Sequence, residues 1–123
     1  MLAFGDSLTH GEGANAEAAY AAVLAALLAC RVVNSGVSGE VTSEGLARLP
    51  GELARASPDL VILCLGGNDM LRGGSTDTMG GNLDAMITMI RSSGADAVLV
   101  AVPKPGLAMR GLPRPAGMPR YWP

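Results

Sequence analysis

The sequence is short of several residue types, and each shortage removes a class of protein from consideration. Aromatic residues make up 3% of the 123 residues, so a hydrophobic core must be built from aliphatic side chains and Met. The two cysteines, Cys30 and Cys64, are too few for a disulfide framework and too far apart for a metal site. Both lie in apolar stretches, which favours two buried thiols. A net charge of −2 with no basic patch argues against nucleic-acid binding.

Long apolar runs are also missing. The longest candidate, residues 18–30, is interrupted by Tyr20 and followed by Arg31, and it falls short of the ~18 apolar residues that a membrane span needs. Polar residues follow Met1 almost at once, which is unlike a signal peptide. We therefore expect no membrane span and, for the chain as written, a cytoplasmic location.

What the sequence does contain is a regular alternation of short β-like runs and helix-like runs in one small domain. Residues 59–65 are almost continuously apolar, as in a strand of a parallel sheet that is buried on both faces. We predict a cap at Ser43 and a helix end before Pro58 for the second helix. The pattern predicts a parallel α/β sheet with helices on both faces. Its strands are residues 1–5, 31–35, 59–65 and 97–102, and its helices are residues 16–30, 42–56 and 78–91.

The last part of the chain has a different composition. Six of the eight prolines lie in residues 103–123, and no acidic residue follows Asp96. Prolines at this density exclude a helix or a central strand. We therefore divide the chain into a domain at 1–102 and a Pro/Arg-rich tail at 103–123. The tail is either an extended segment that wraps over the domain or, as the abrupt loss of the α/β pattern favours, the product of a truncated or frame-shifted gene.

Polar clusters follow the first three predicted strands, at residues 5–9, 34–39 and 66–69. In open α/β sheets, ligands bind at the carboxyl ends of the strands, so we expect the three clusters to line one crevice. Ser7 on a turn that opens a helix is a candidate nucleophile, although Ser7 or Asp6 could simply cap the helix. Gly39 and Asn68 could each offer an N–H to a substrate oxygen, or be ordinary loop and turn residues. Together the three describe an oxyanion hole around a nucleophile.

These clusters resemble the sequence blocks of the SGNH, or GDSL-type, hydrolases. The resemblance covers roughly residues 1–107 and is closest to the arylesterase, thioesterase I and lysophospholipase branch. It rests on Gly-Asp-Ser-Leu-Thr at 5–9, Asn-Ser-Gly-Val-Ser-Gly at 34–39, Gly-Leu-Ala-Arg-Leu-Pro at 45–50 and Leu-Gly-Gly-Asn-Asp-Met-Leu-Arg-Gly at 65–73. It implies a three-layer α/β/α sandwich with a flavodoxin-like parallel sheet, C-terminally truncated in this chain.

The resemblance also implies a function. Ser7 would be the nucleophile of an ester hydrolase that acts on short acyl, aryl or thioester substrates through an acyl-enzyme, with no cofactor and no metal. The Ser7 N–H, the Gly39 N–H and the Asn68 side chain would form the oxyanion hole. Asp6, Gly67 and Asp69, which belong to the same blocks, are assigned to substrate binding.

One block of this family has no counterpart here. The Asp-x-x-His block supplies the general base and its orienting carboxylate, yet the sequence has one histidine, His10, and nothing acidic after Asp96. A serine without a base is a poor nucleophile, so turnover should be impaired. His10 lies three residues after Ser7 and is either a surrogate base, with Glu12 as its orienter, or an exposed loop histidine.

Other functions remain open. The chain could be a non-catalytic acyl-binding remnant, or a fold fragment that persists by forming oligomers. A phosphate-binding module is disfavoured because the glycine-rich loops match neither Gly-x-Gly-x-x-Gly nor a Walker motif. A sheet that ends at the fourth strand leaves an unpaired apolar edge and a partly uncovered face, so we expect a homo-oligomer.

Overall fold

The structure is a computed structural model, and it describes residues 1–100. Its elements alternate along the chain as the sequence pattern predicts. The strands are β1 Leu2–Gly5, β2 Val33–Gly36, β3 Leu60–Cys64 and β4 Asp96–Leu99. The helices are α1 Ser7–His10, α2 Tyr20–Leu28, α3 Thr42–Ala56, α4 Gly67–Leu71 and α5 Thr76–Ser92, with a 3₁₀ turn at Ala16–Ala18 before α2. The predicted tail at 103–123 lies outside the described residues.

The strands form one parallel sheet in the order β2-β1-β3-β4. The chain therefore moves one way from β1 to β2 and the other way from β2 to β3 and β4. Because crossovers between parallel strands are right-handed, α2 lies on one face of the sheet and α3 and α5 lie on the other. Among residues 1–100 this arrangement has the three layers of an α/β/α sandwich, which confirms the predicted fold class.

The main core lies between the sheet and the helices α3 and α5. Strand residues that point to this side, such as Leu2 and Leu63, are 0% exposed, and they pack against Leu49 of α3 and Met86 of α5. These positions are the apolar stripes that the sequence shows on both helices. Burial of this kind contributes about 1.5–3 kcal/mol for each large aliphatic side chain.

Several local predictions are wrong. Ser43 does not cap α3, because it lies inside the helix, which begins at Thr42 with Val41 as its N-cap, and Glu44 Oε1 accepts a hydrogen bond from Val41 N at 3.1 Å. The helix predicted for residues 16–30 is shorter, since residue Ala19 is extended and Ala29 turns left-handed with φ 48°. Cys64 is buried as predicted, but Cys30, just past the end of α2, is exposed. The short helix α4 was not predicted.

The described helices do not resemble membrane segments. Within residues 1–100, none is both long enough and apolar enough to cross a bilayer.

Candidate functional site

The predicted crevice lies where the first three strands end. Gly5, the last residue of β1, pairs with Gly36 of β2 on one side and with Cys64 of β3 on the other. The N–H of Val37 also donates to Gly5 O at 2.9 Å, which draws the β2 loop over the end of β1. The loops that leave β2 and β3, the two neighbours of β1, therefore flank the loop that carries Ser7.

Ser7 is the first residue of α1 and is half-buried. The cap of this short helix is Asp6, whose Oδ1 accepts a hydrogen bond from Leu8 N at 3.1 Å. Burial raises the pKa of the Asp6 carboxyl, and the negative charges of Glu40 and Asp69 raise it further. Because Asp6 serves as the cap, the Ser7 hydroxyl is not needed for that role.

Two glycines allow α1 to lie directly on the strand ends. A Cβ on Gly36 would collide with the backbone of His10, and a Cβ on Gly5 would collide with the Thr9 hydroxyl and a Cys64 backbone oxygen. Thr9 is fully buried, and its hydroxyl is hydrogen-bonded to the Tyr20 hydroxyl at 2.7 Å. The turn that carries Ser7 is therefore fixed by close packing below it and by a side-chain bond to α2.

Gly39 lies in the loop between β2 and α3 with φ +79°, a conformation that L side chains rarely adopt. Steric room is not the reason for a glycine here, since a Cβ at this position would come no closer than 3.7 Å to Arg72 Nη2. The left-handed backbone is what requires it. We refer to residues 37–41 as the Gly39 loop.

Asn68 connects the Gly39 loop to α4. Its Nδ2 donates to Glu40 O at 3.0 Å, so the loops that follow β2 and β3 are joined by a hydrogen bond near the end of β1. An amide nitrogen carries two hydrogens, and this bond uses one of them. Among residues 1–100 no acceptor is bonded to the second hydrogen, which can therefore be donated to a ligand, and the bond to Glu40 fixes the orientation of the amide.

Glu40 is itself anchored beneath the loop by an ion pair. Arg48 of α3 donates from Nη2 and Nε to the Glu40 carboxylate, both at 2.9 Å, and that carboxylate is 4% exposed. The guanidinium also lies over the Phe4 ring at 4.1 Å from its centroid. Gly45 leaves room for the pair, because a Cβ there would come within 3.1 Å of Glu40 Oε1.

The other predicted binding residues lie in α4 and face different surroundings. Both carboxylate oxygens of Asp69 accept hydrogen bonds from Thr42, from its N at 2.9 Å and from its Oγ1 at 2.6 Å. Asn82 Nδ2 donates to the same Thr42 hydroxyl at 3.0 Å. Gly67 is the half-buried first residue of α4. Roles for Asp69 and Gly67 in substrate binding stay predictions, and the contacts of Asp69 favour a structural role.

Four residues near the site were missed from the sequence: Glu40, Thr42, Arg72 and Asn82. Arg72 Nη2 donates to Gly39 O at 3.0 Å. Arg72 belongs to the block at 65–73 but was given no role, and Glu40 and Thr42 stand one and three residues after Gly39, so their positions in the sequence were the available signal. Asn82 gave no such signal.

The site contains hydrogen-bond donors that find no acceptor in the described part of the chain. No acceptor within residues 1–100 is hydrogen-bonded to the N–H of Ser7 or to the N–H of Gly39. Together with the second hydrogen of the Asn68 amide, they make three donors on the three loops that meet at this edge of the sheet. Such a set is suited to an oxygen that gains negative charge.

No base accompanies Ser7 in the described part of the chain. Residues 1–100 offer no hydrogen-bond partner for the Ser7 hydroxyl, and the His10 side chain is exposed at the last position of α1. Glu12 is exposed as well. A role for His10 as a surrogate base therefore stays a prediction that the observed contacts do not support. The same residues contain no group of three or more His, Cys, Asp or Glu side chains that could hold a metal.

Comparison with known proteins adds to this geometry. The sequence profile of the GDSL-like lipase/acylhydrolase family matches residues 3–122. An arylesterase of Vibrio mimicus is 40% identical over 110 residues, and the esterase TesA of Pseudomonas aeruginosa is 38% identical over 110 residues. Each alignment covers 85% of this chain and 55% of the relative, so the chain spans about half the length of these relatives.

Solved structures show the same similarity in three dimensions. The crystal structure of TesA superimposes with a TM-score of 0.80 at 39% identity, and covers 82% of this chain and 59% of that one. The esterase AlinE4, an SGNH hydrolase, gives a TM-score of 0.76 at 37% identity, over 80% of this chain and 56% of that one.

Proposed function

The chain belongs to the GDSL-like lipase/acylhydrolase family, and on that premise we propose that it carries the nucleophile and the oxyanion hole of a serine ester hydrolase. Ser7 would attack the carbonyl carbon of a small acyl, aryl or thioester substrate. The observation that carries the proposal is the set of three donors on Ser7, Gly39 and Asn68 that have no acceptor within residues 1–100. The bond from Asn68 to Glu40 links two of the loops that bear them.

The chemistry follows from this placement. Ser7 Oγ forms a bond to the carbonyl carbon, and the negative charge that develops on the carbonyl oxygen is stabilised by the three donors. Collapse of this intermediate breaks the bond to the leaving alcohol or thiol, which takes up the proton lost by the serine, and an acyl group remains on Ser7. Water then hydrolyses the acyl-enzyme and returns the free serine.

Acylation should be slow, because no imidazole contacts Ser7 within residues 1–100 and the sequence has a single histidine. In serine hydrolases that lose members of their triad, oxyanion stabilisation and binding still give about 10³-fold catalysis over water. We therefore propose slow turnover through the acyl-enzyme, rather than rapid turnover, for this chain alone.

The test is covalent labelling of the purified chain with a p-nitrophenyl alkylphosphonate, followed by peptide mapping. We expect one label, on Ser7, and none in Ser7→Ala; labelling that survives this substitution contradicts the assignment. Asn68→Ala should slow labelling about ten- to a thousandfold, the usual loss for one oxyanion donor.

His10→Ala tests whether His10 acts as a surrogate base. An unchanged labelling rate and an unchanged pH profile in this variant would exclude that role.

A second candidate function is acyl binding without catalysis. It is favoured by the lack of a base beside Ser7 among the described residues. The same experiment separates the two functions, because a binding protein would retain an uncharged ester reversibly and leave Ser7 unmodified.

A further inference from the structure

Three residues of one short segment contact backbone groups of the Gly39 loop and of its junction with α3. Arg72 donates to Gly39 O, Asn68 donates to Glu40 O, and Asp69 accepts from Thr42 N. The distances are 3.0, 3.0 and 2.9 Å. The loop and the segment lie 27 to 33 residues apart in sequence, so these bonds join two separate parts of the chain.

The contacts divide into a buried anchor and an exposed one. The bonds between Asp69 and Thr42 are partly buried and are continued by Asn82 of α5, which fixes the α3 end of the loop. The bond from Arg72 is exposed and holds the other end, at Gly39. Asn68 and Arg72 are one helical turn apart, and Arg72 N donates to Asn68 O at 3.0 Å, so both donors move as one unit.

Gly39 needs such a restraint more than its neighbours do. A glycine samples left-handed and right-handed conformations with similar ease. Rotation about its backbone bonds would turn its N–H away from a substrate oxygen. The peptide that follows Gly39 is held from both sides, because Glu40 N donates to Val37 O at 3.2 Å and Arg72 donates to Gly39 O at 3.0 Å. The bond of Val37 N to Gly5 O fixes the chain that precedes it.

We propose that Arg72 is a positioning residue that fixes the Gly39 N–H relative to the Asn68 amide, so that the two oxyanion donors from different strands act on one oxygen. This inference rests on the proposed function of Ser7. Arg72 itself does not touch the reacting atoms. Its guanidinium acts through one charge-assisted hydrogen bond to the Gly39 carbonyl.

The test uses the full chain and an uncharged ethyl p-nitrophenyl alkylphosphonate diester. In the reaction, Ser7 Oγ bonds to phosphorus, p-nitrophenolate leaves, and the serine proton goes to solvent. The maximal labelling rate and the half-saturating concentration are measured separately. Arg72→Met keeps an unbranched, flexible side chain, although a shorter one, and removes the donor. It should lower the maximal rate about ten- to a hundredfold at an unchanged half-saturating concentration.

Two further variants make the result specific. Arg72→Lys retains a donor and should restore the rate to within about threefold of wild type, despite the different shape of the ammonium group. Arg91→Met, at an exposed arginine in the last turn of α5, should behave as wild type. In Arg72→Met, an NMR order parameter that falls at Gly39 but not at Gly66 would support the same conclusion.

The other possible results contradict the inference, and they show whether the positioning role alone or the proposed function as well is wrong. If wild type is labelled on Ser7 and Arg72→Met is labelled equally fast, the proposed function stands and the positioning role is wrong. If only the half-saturating concentration rises, Arg72 binds the ligand instead of positioning the loop, which also overturns the inference. If wild type is not labelled at all, the proposed function fails and the inference fails with it.

Discussion

The two faces of the sheet are built from similar aliphatic residues but are covered very differently. On the face toward α3 and α5, Leu2 and Val61 are side by side and both are 0% exposed. On the opposite face, the paired positions Ala3, Ile62 and Val98 run from fully buried through half-buried to 47% exposed. The strand residues on the two faces are similarly apolar. Helix coverage is what differs over β1 and β3, since α3 and α5 pack against one face while α2 contacts β2 on the other. At β4 the difference disappears, because Leu99, which pairs with Leu63 on the α5 side, is also 47% exposed.

The covered face therefore supports the stability of the domain, and the open face supports little of it. The covered face also carries the ion pair of Arg48 and Glu40 that underlies the Gly39 loop. Changes on this face should unfold the protein, whereas equal changes on the open face or the outer surface should be tolerated.

The largest difference in unfolding free energy is expected between substitutions of two arginines of α3. Arg48→Ala leaves the Glu40 carboxylate buried without its partner, which should cost about 3–5 kcal/mol of unfolding free energy. Arg55 pairs with Glu52 at the surface and is 77% exposed, so Arg55→Ala should cost about 0–1 kcal/mol. Urea denaturation followed by circular dichroism measures both. Equal losses would show that the buried pair contributes no more than the exposed one.

A second contrast uses two neighbours in β3 that point to opposite faces. Leu63 is 0% exposed on the covered face, and Ile62 is half-buried on the open face. Leu63→Ala should lower the unfolding free energy by about 2–5 kcal/mol, because it leaves a cavity in a packed core. Ile62→Ala removes the same number of carbon atoms and should cost less than half as much. If Ile62→Ala cost as much as Leu63→Ala, the open face would be covered in solution.

A third test concerns what covers the open face. Within the described residues no strand pairs with the outer edge of β4, and exposed apolar edges promote association. We therefore predict a homo-oligomer at micromolar concentration. Val98→Ser should weaken it about tenfold, which corresponds to roughly 1.4 kcal/mol. Val23→Ser, at a valine of α2 that is 43% exposed, is the control. A wild-type monomer in sedimentation would contradict this prediction.

Much of the fold could be predicted because it depends on local patterns. The bounds of α3 were predicted correctly although Pro50 lies inside the helix. A proline in a helix interior costs about 3 kcal/mol, yet Pro50 is exposed while Leu49 and Leu53 bury the apolar stripe. The meeting of Ser7, Gly39 and Asn68 at one sheet edge also followed from the alternation of strands and helices.

The contacts that hold the site together could not be predicted in this way. The bonds of Asp69 and Asn82 to Thr42 join residues 27 and 40 positions apart. Whether such side chains meet depends on the path of two loops, and loop paths leave no periodic signal in a sequence. The exposure of Cys30 has the same origin, since it depends on where α2 ends.

The smallest expected effect on stability concerns the Asp6 carboxyl, which lies between the end of β1 and the start of α1. Burial raises the folded-state pKa of this carboxyl above the 3.8 of the unfolded chain, so the folded state binds its proton more tightly. The contribution of Asp6 to the free energy of unfolding must then fall as the pH rises from 3.8 through the raised pKa of the folded state. Asp6→Asn keeps a capping side chain, and at a pH below 3.8 it should match wild type to within ~0.5 kcal/mol. The variant should gain stability relative to wild type as pH rises to 7. Urea denaturation of both proteins across this range measures the difference, and a difference that stays constant with pH would show that the pKa of Asp6 is not raised.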